Sequence, residues 1–179
     1  MTSTATLQPS IEIQRSGERM ATRIDWLDSR HSFSFGGHYD PDNTHFGLLL
    51  VSNDDVIAPE TGFSTHPHRD MEIVTWVLKG ELEHKDSEGH IGLIHPGLAQ
   101  RMSAGTGILH SEMNATKGGE VHLVQMWVVP DTARSSPPTL SSISTANSTA
   151  AASCLWLPGR GTTPPFPSAR TAPCFGRAA

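Results

Sequence analysis

The sequence predicts an all-β fold, either a sandwich or a barrel, and three observations carry that expectation. Short runs rich in β-branched and aromatic residues recur roughly every 8–12 residues. Gly, Pro and Asn/Asp groups punctuate them. No stretch after residue 30 holds a helical period, and Ile24 to Ser29 is expected to form one short turn at most. Taken in order, Phe46 to Val51 is an apolar run that Asn53-Asp54-Asp55 is expected to turn. Glu72 to Leu78 is the strongest strand pattern and stops at Lys79-Gly80. Glu81 to His84 follows, ended by Asp86-Ser87-Glu88-Gly89. His95-Pro96-Gly97 and Gly105-Thr106-Gly107 break the chain again, and Val121 to Val129 is the last strong strand. Met102, Met113, Met126, Trp76 and Trp127 are expected to fill the core.

At 179 residues the chain suffices for one well-cored domain, or one domain with a tail. Its net charge of −5 argues against a phosphate-binding surface, so no direct nucleic-acid contact is expected. No apolar run approaches the roughly 20 residues that cross a bilayer, and Met1 to Ser10 lacks the basic start and apolar centre of a secretory signal. Two cysteines only, Cys154 and Cys174, argue against a disulfide scaffold and point to a reducing cytoplasm. Composition changes near Pro130. Residues 1–133 hold all eighteen acidic residues, all ten histidines and nine of the thirteen basic ones. Residues 134–179 hold four arginines and no Asp, Glu, Lys, His or Val, and are built from Ser, Thr, Pro and Ala. Such a segment buries too little apolar surface to offset its ordering entropy, so the expected organisation is a folded domain over 1–133 and a disordered tail over 134–179.

Within the first part, His66-Pro67-His68 and His110-Ser111-Glu112 each place two metal-ligating side chains at i and i+2. On a strand such pairs leave one face, about 7 Å apart along the backbone. Two strands side by side would aim three imidazoles and one carboxylate at a point, a donor set for a first-row divalent metal with coordination positions left open for chemistry. Pro67 cannot donate to a sheet ladder, so its segment should be an edge, a strand start or a bulge. Glu72 follows His68 by four residues and would either join the ligands or orient one of them. Asp70, His84, Lys85, His90 and His95 read as turn residues, and His122 as either inward or surface. Competing chemistries lack their signatures. Residues 1–133 contain no cysteine for a zinc ribbon, no Gly-x-Ser-x-Gly elbow and no phosphate-cradling Gly-x-x-x-x-Gly-Lys-Ser/Thr loop.

Several long motifs, Arg30-His31-Ser32-Phe33-Ser34-Phe35, His66-Pro67-His68-Arg69-Asp70-Met71-Glu72, Gly80-Glu81-Leu82-Glu83-His84-Lys85-Asp86-Ser87 and Met102-Ser103-Ala104-Gly105-Thr106-Gly107-Ile108-Leu109-His110-Ser111-Glu112-Met113-Asn114, resemble the pirin family of the cupin superfamily over about residues 11–131. The resemblance implies a cupin jelly-roll barrel around one divalent metal, most often Fe2+, held by His66, His68, His110 and Glu112, with Glu72 outside the ligand set. It further implies a quercetin 2,3-dioxygenase that opens flavonols with O2 and releases carbon monoxide; by its chemistry Glu112, a carboxylate at the metal, is expected to accept the flavonol hydroxyl proton if burial raises its pKa. The other implied role is a non-enzymatic, metal-dependent redox sensor or transcription-linked partner of another protein. Pirins continue into a second barrel-like half, whereas here the family pattern stops just after Trp127-Val128-Val129-Pro130-Asp131. The following tail has the composition expected of GC-rich coding sequence read out of frame, and the chain is expected to be truncated or frameshifted there.

Overall fold

The computed structural model describes residues 11–132 and the short segment Ile143–Thr145. A single 3-10 turn at Ser16–Glu18 precedes the strands β1 (Met20–Ile24), β2 (Leu27–His31), β3 (Leu49–Ile57), β4 (Gly62–His68), β5 (Glu72–Lys79), β6 (Leu82–Asp86), β7 (Ile91–Ile94), β8 (Leu98–Ser103), β9 (Ile108–Asn114), β10 (Val121–Val128) and β11 (Ile143–Thr145). One sheet runs β1-β2-β3-β10-β5-β8-β11 and the other β4-β9-β6-β7. Every pairing is antiparallel. The fold is all-β, as the sequence predicts.

Two apolar clusters close the interior at opposite ends. One joins Leu27, Ile57, Val77, Val121 and Leu123 of the large sheet to Leu82 and Ile94 of the small one, with Trp26 and Phe63 packed against it. The other is Ile73, Met102, Ala104 and Ile108, with Met71 and Trp127. Between them the inward positions are polar. Along β5 they read Ile73-Thr75-Val77, along β8 Met102-Gln100-Leu98 and along β10 Trp127-Gln125-Leu123. A polar band therefore crosses the middle of the sandwich. Ser29, His31, Asn53, Asp55, His84, His110 and Glu112 extend it, all buried. Buried polar groups are tolerated only when partnered, so this band marks a built site.

The structure corrects the sequence reading at several elements. Asn53-Asp54-Asp55 does not turn the chain; it lies inside β3, paired with β2 and β10. Asn53 and Asp55 point into the polar band, so the residues that read as a turn are interior side chains. Ile24 to Ser29 is not one isolated turn, since β1 and β2 form a hairpin around it. The strands β7 and β8 escaped the pattern because their inward residues mix Gly and Gln with aliphatics. Met102 is buried and Trp127 packs on a cluster, but Trp76, Met113 and Met126 alternate to the outer, half-buried faces. The proposed tail at 134–179 falls mostly outside the described residues. Ile143–Thr145 pairs with the β8 edge, Ile143 opposite Gln100 and Thr145 opposite Leu98. Cys154 and Cys174 also lie outside the described residues.

Candidate metal centre

The central strand of the small sheet carries His110 and Glu112 on one face, with β4 on one side and β6 on the other. Register does the rest. His66 stands directly opposite His110, and His84 directly opposite Glu112. Pro67 fits because β4 is the sheet's edge, and the pairing slips between Phe63 and His66. Of the edge, strand start or bulge foreseen for that proline, the edge is present, and the register slip lies just before it in the chain. Gly62 has φ +159, and a Cβ there would overlap the Glu112 carbonyl oxygen, so only glycine lets β4 approach β9 so closely.

His66, His68 and His110 converge, their ligand nitrogens within 4.8 Å of one another. Ring centroids are 4.4 Å apart for His66 and His110, and 4.8 Å for His68 to each of the others. The Nε2 atoms of His66 and His110 lie 3.0 Å apart. That spacing is what two nitrogens bonded to one ion at about 2.1 Å have in neighbouring positions. Two further features fit an ion. His66 donates its Nδ1–H to the Ser64 carbonyl at 2.8 Å, which leaves Nε2 as the lone-pair nitrogen of the uncharged ring. The Nε2 of His68 is buried and has no hydrogen-bond partner in the protein. Trp127 holds the His68 ring edge-to-face at 4.8 Å. Burial, reinforced by the neighbouring imidazoles, pushes His68 down to about 4 and His110 down to about 2, so both are uncharged donors at neutral pH.

Glu112 occupies the adjoining side. Its carboxylate groups with His84 and His110 rather than with His66, His68 and His110 together. Gln125 Nε2 donates to both of its oxygens at 2.9 Å. The Trp127 indole N–H donates to Gln125 Oε1 at 3.0 Å, and an indole can only donate, so the amide is oriented with its NH2 toward Glu112. Burial nonetheless raises Glu112 to about 7, against the opposing hydrogen bonds from Gln125 and Thr75.

The other predicted positions sort clearly. Glu72 accepts from Ser103 Oγ at 2.5 Å and faces Arg101 at 3.8 Å, contacts on the large sheet. His95 is exposed and bonds the Pro96 carbonyl, and His122 pairs with Asp54 at 2.6 Å on the outer face. His84 is not a solvated turn residue. It is 1% exposed, and its Nδ1 lies 3.4 Å from that of His110. The sequence carried one signal for this: His84 alternates with Leu82, an inward position of the same strand. Gln125 and Asp55 were also missed, because a polar residue at an inward position looks like any other until the facing strand is known.

Beside the imidazoles lies a cavity of about 200 Å³, lined by His66 and Glu112 of the small sheet and by Gln125 of the large one. Phe35, Phe63 and Trp127 give it apolar walls. Its far wall is polar: Ser29 donates a short hydrogen bond to Asp55, and His31 bonds Asn53 at 2.9 Å and Thr22 at 2.8 Å. Burial raises Asp55 to about 6 despite the Ser29 hydrogen bond.

An antiparallel jelly-roll sandwich with converging histidines on the inner face of its smaller sheet defines a cupin. The chain belongs to the pirin family, whose pattern matches residues 14–128. A Mycobacterium tuberculosis protein provisionally named a quercetin 2,3-dioxygenase is 68% identical over 122 residues, covering 68% of this chain and 50% of that protein. The quercetin 2,3-dioxygenase of Escherichia coli K12 is 49% identical over 121 residues, covering 68% and 52%. The solved structure of the Escherichia coli pirin YhhW in complex with nickel(II) is 48% identical with a TM-score of 0.67, covering 69% of this chain and 53% of that one. The chain thus spans about half the length of the relatives it matches. Among the described residues no helix is long and apolar enough to cross a membrane.

Proposed function

We propose that this chain binds one divalent metal, Fe2+ by preference, through His66, His68, His110 and Glu112, and opens flavonols such as quercetin with O2 in the cytoplasm. The observation that carries the reading is the convergence of three imidazoles beside a cavity that also receives Glu112. The donor set fits such an ion: the Nε2 atoms of His66 and His110 face one point, and the buried Nε2 of His68 has no protein partner. When bound, the metal would supply Lewis acidity, a template for the substrate's neighbouring oxygens and access to O2.

The chain's own residues supply the rest. Phe35, Phe63 and Trp127 would hold an aromatic substrate by its faces and keep water from the cavity. Ser29, His31 and Asp55 offer hydrogen bonds to its hydroxyls on the wall across from the imidazoles. Glu112, raised to about 7, is suited to accept the flavonol hydroxyl proton, because a base works best with a pKa near the operating pH. Gln125 then keeps the carboxyl aimed as it changes charge.

The test is oxygen uptake by the iron-loaded chain with quercetin, beside His110→Ala. Uptake that needs both the metal and His110 is the expected result. No uptake from protein shown to hold one metal would instead assign the site to binding or sensing for a protein partner.

A further inference from the structure

On the far side of His110 from the proposed ion runs a buried line of side chains that the reaction does not use. His110 Nδ1 lies 3.4 Å from His84 Nδ1, and His84 Nε2 lies 3.2 Å from Asp86 Oδ2. The Asp86 side chain is 0% exposed and yet is surrounded by donors. Its Oδ1 accepts the backbone N–H groups of Glu88 and His90, each at 3.0 Å. His90 Nδ1 approaches both oxygens, at 3.1 and 3.0 Å. A buried carboxyl that accepts two backbone N–H groups and faces two imidazole nitrogens is placed to accept from both rings.

That fixes a direction. An acceptor at Asp86 requires the proton of His84 on Nε2. In the uncharged ring His84 Nδ1 is then a lone pair, so the nitrogen facing it, His110 Nδ1, must carry the proton. His110 Nε2 is left as a lone pair, aimed where His66 Nε2 is also aimed. The opposite polarity would set an imidazole lone pair against the buried Asp86 carboxylate, a larger cost than the two uncharged imidazole lone pairs that this one leaves 3.0 Å apart at His66 and His110, where a cation fits. We propose that Asp86 and His84 are positioning residues that impose the metal-binding tautomer on His110 from outside the ligand set. This rests on the reading of His110 as a ligand, made above. Loss of such an outer partner typically weakens metal binding 10–100-fold.

The direction can be read without activity. In the metal-free full-length chain, labelled with 15N-histidine, long-range proton–nitrogen correlation should show His110 protonated on Nδ1 and His84 on Nε2. Asp86→Asn should reverse the line. The Glu88 and His90 N–H groups hold the amide oxygen at the Oδ1 place, turning its NH2 toward His84. His110 should then be protonated on Nε2, and Ni2+ affinity should fall 10–100-fold. His84→Gln, whose amide oxygen can accept from His110, should retain more affinity than His84→Ala. Finding His110 protonated on Nε2 in the unsubstituted chain would overturn the proposal, as would a folded Asp86→Asn that keeps both tautomer and affinity. If Asp86→Asn does not fold, the unsubstituted tautomers and the His84 pair decide. Absence of Ni2+ binding in the unsubstituted chain would sink the ligand reading alone, since the tautomers are read without metal.

Discussion

Gln125 and Asp55 show how single buried side chains set the chemistry of this cavity. Gln125 donates to both oxygens of Glu112 and is itself held by Trp127. Replacing it with leucine leaves a buried carboxyl short of donors, which costs about 1–3 kcal/mol. Gln125→Leu should therefore lower the urea midpoint by that equivalent; an unchanged midpoint would show that Thr75 alone satisfies the group. Asp55 gives the pH dependence. Its folded value of about 6 lies above the ordinary 3.8, so the folded state holds its proton more tightly than the unfolded one. The stability this contributes is full below about 3.8 and is lost as pH rises through about 6. Metal-free protein should lose up to about 3 kcal/mol relative to Asp55→Asn between pH 4 and pH 7. Parallel stability curves for the two proteins would contradict this.

Among the elements, β4 bears the most unusual demands. It is an edge strand with a proline between two of the proposed ligands, His66 and His68, and a register slip beside them. Its place is held by the close approach of Gly62 to β9, where any Cβ would meet the backbone of Glu112 and Met113. Backbone cannot yield as a flexible side chain can. Gly62→Ala should displace β4, lower the melting temperature by about 4 °C or more, and weaken Ni2+ binding at least about tenfold. Normal Ni2+ affinity in this variant would show that His66 and His68 hold their places without that contact. On the other flank, β6 brings His84 and Asp86 behind His110. The proposed metal centre is thus a three-strand device, with β9 between its two supports.

For the molecule as a whole, the question is whether one barrel stands alone. The chain covers about half of its pirin relatives. A Thermotoga maritima chain that shares the fold alone, at 17% identity and a TM-score of 0.51, is covered over 100% of its length. Among the described residues both apolar clusters are built from residues within 11–132, so that unit should fold cooperatively. Ni2+ at 100 times its dissociation constant should stabilise it by about 2.7 kcal/mol, and His110→Ala should abolish the effect. A chain ending at residue 132 should behave alike. Loss of cooperative unfolding on that shortening would show that the later residues, including the β11 pairing to β8, complete the fold. Phe46, Leu48 and Ile91 remain 80%, 60% and 70% exposed, large enough to make the outer surface adhesive.

The sequence by itself determined the all-β class, the strands β5 and β10, and the three imidazoles, because alternation along one strand is a local property that His66, His68 and His110 display in their own neighbourhoods. It also foresaw that Pro67 needs an edge, a strand start or a bulge, and β4 is an edge. Only the tertiary structure decided which polar residues face inward together. Asn53 and Asp55 read as a turn, and His84 and Asp86 as solvated loop, since nothing within their own segments shows the strand that will lie opposite. Register across the small sheet sets His66 against His110 and His84 against Glu112. That pairing is a contact between residues dozens of positions apart, and the physical chemistry of a buried polar group depends on the partner it meets there.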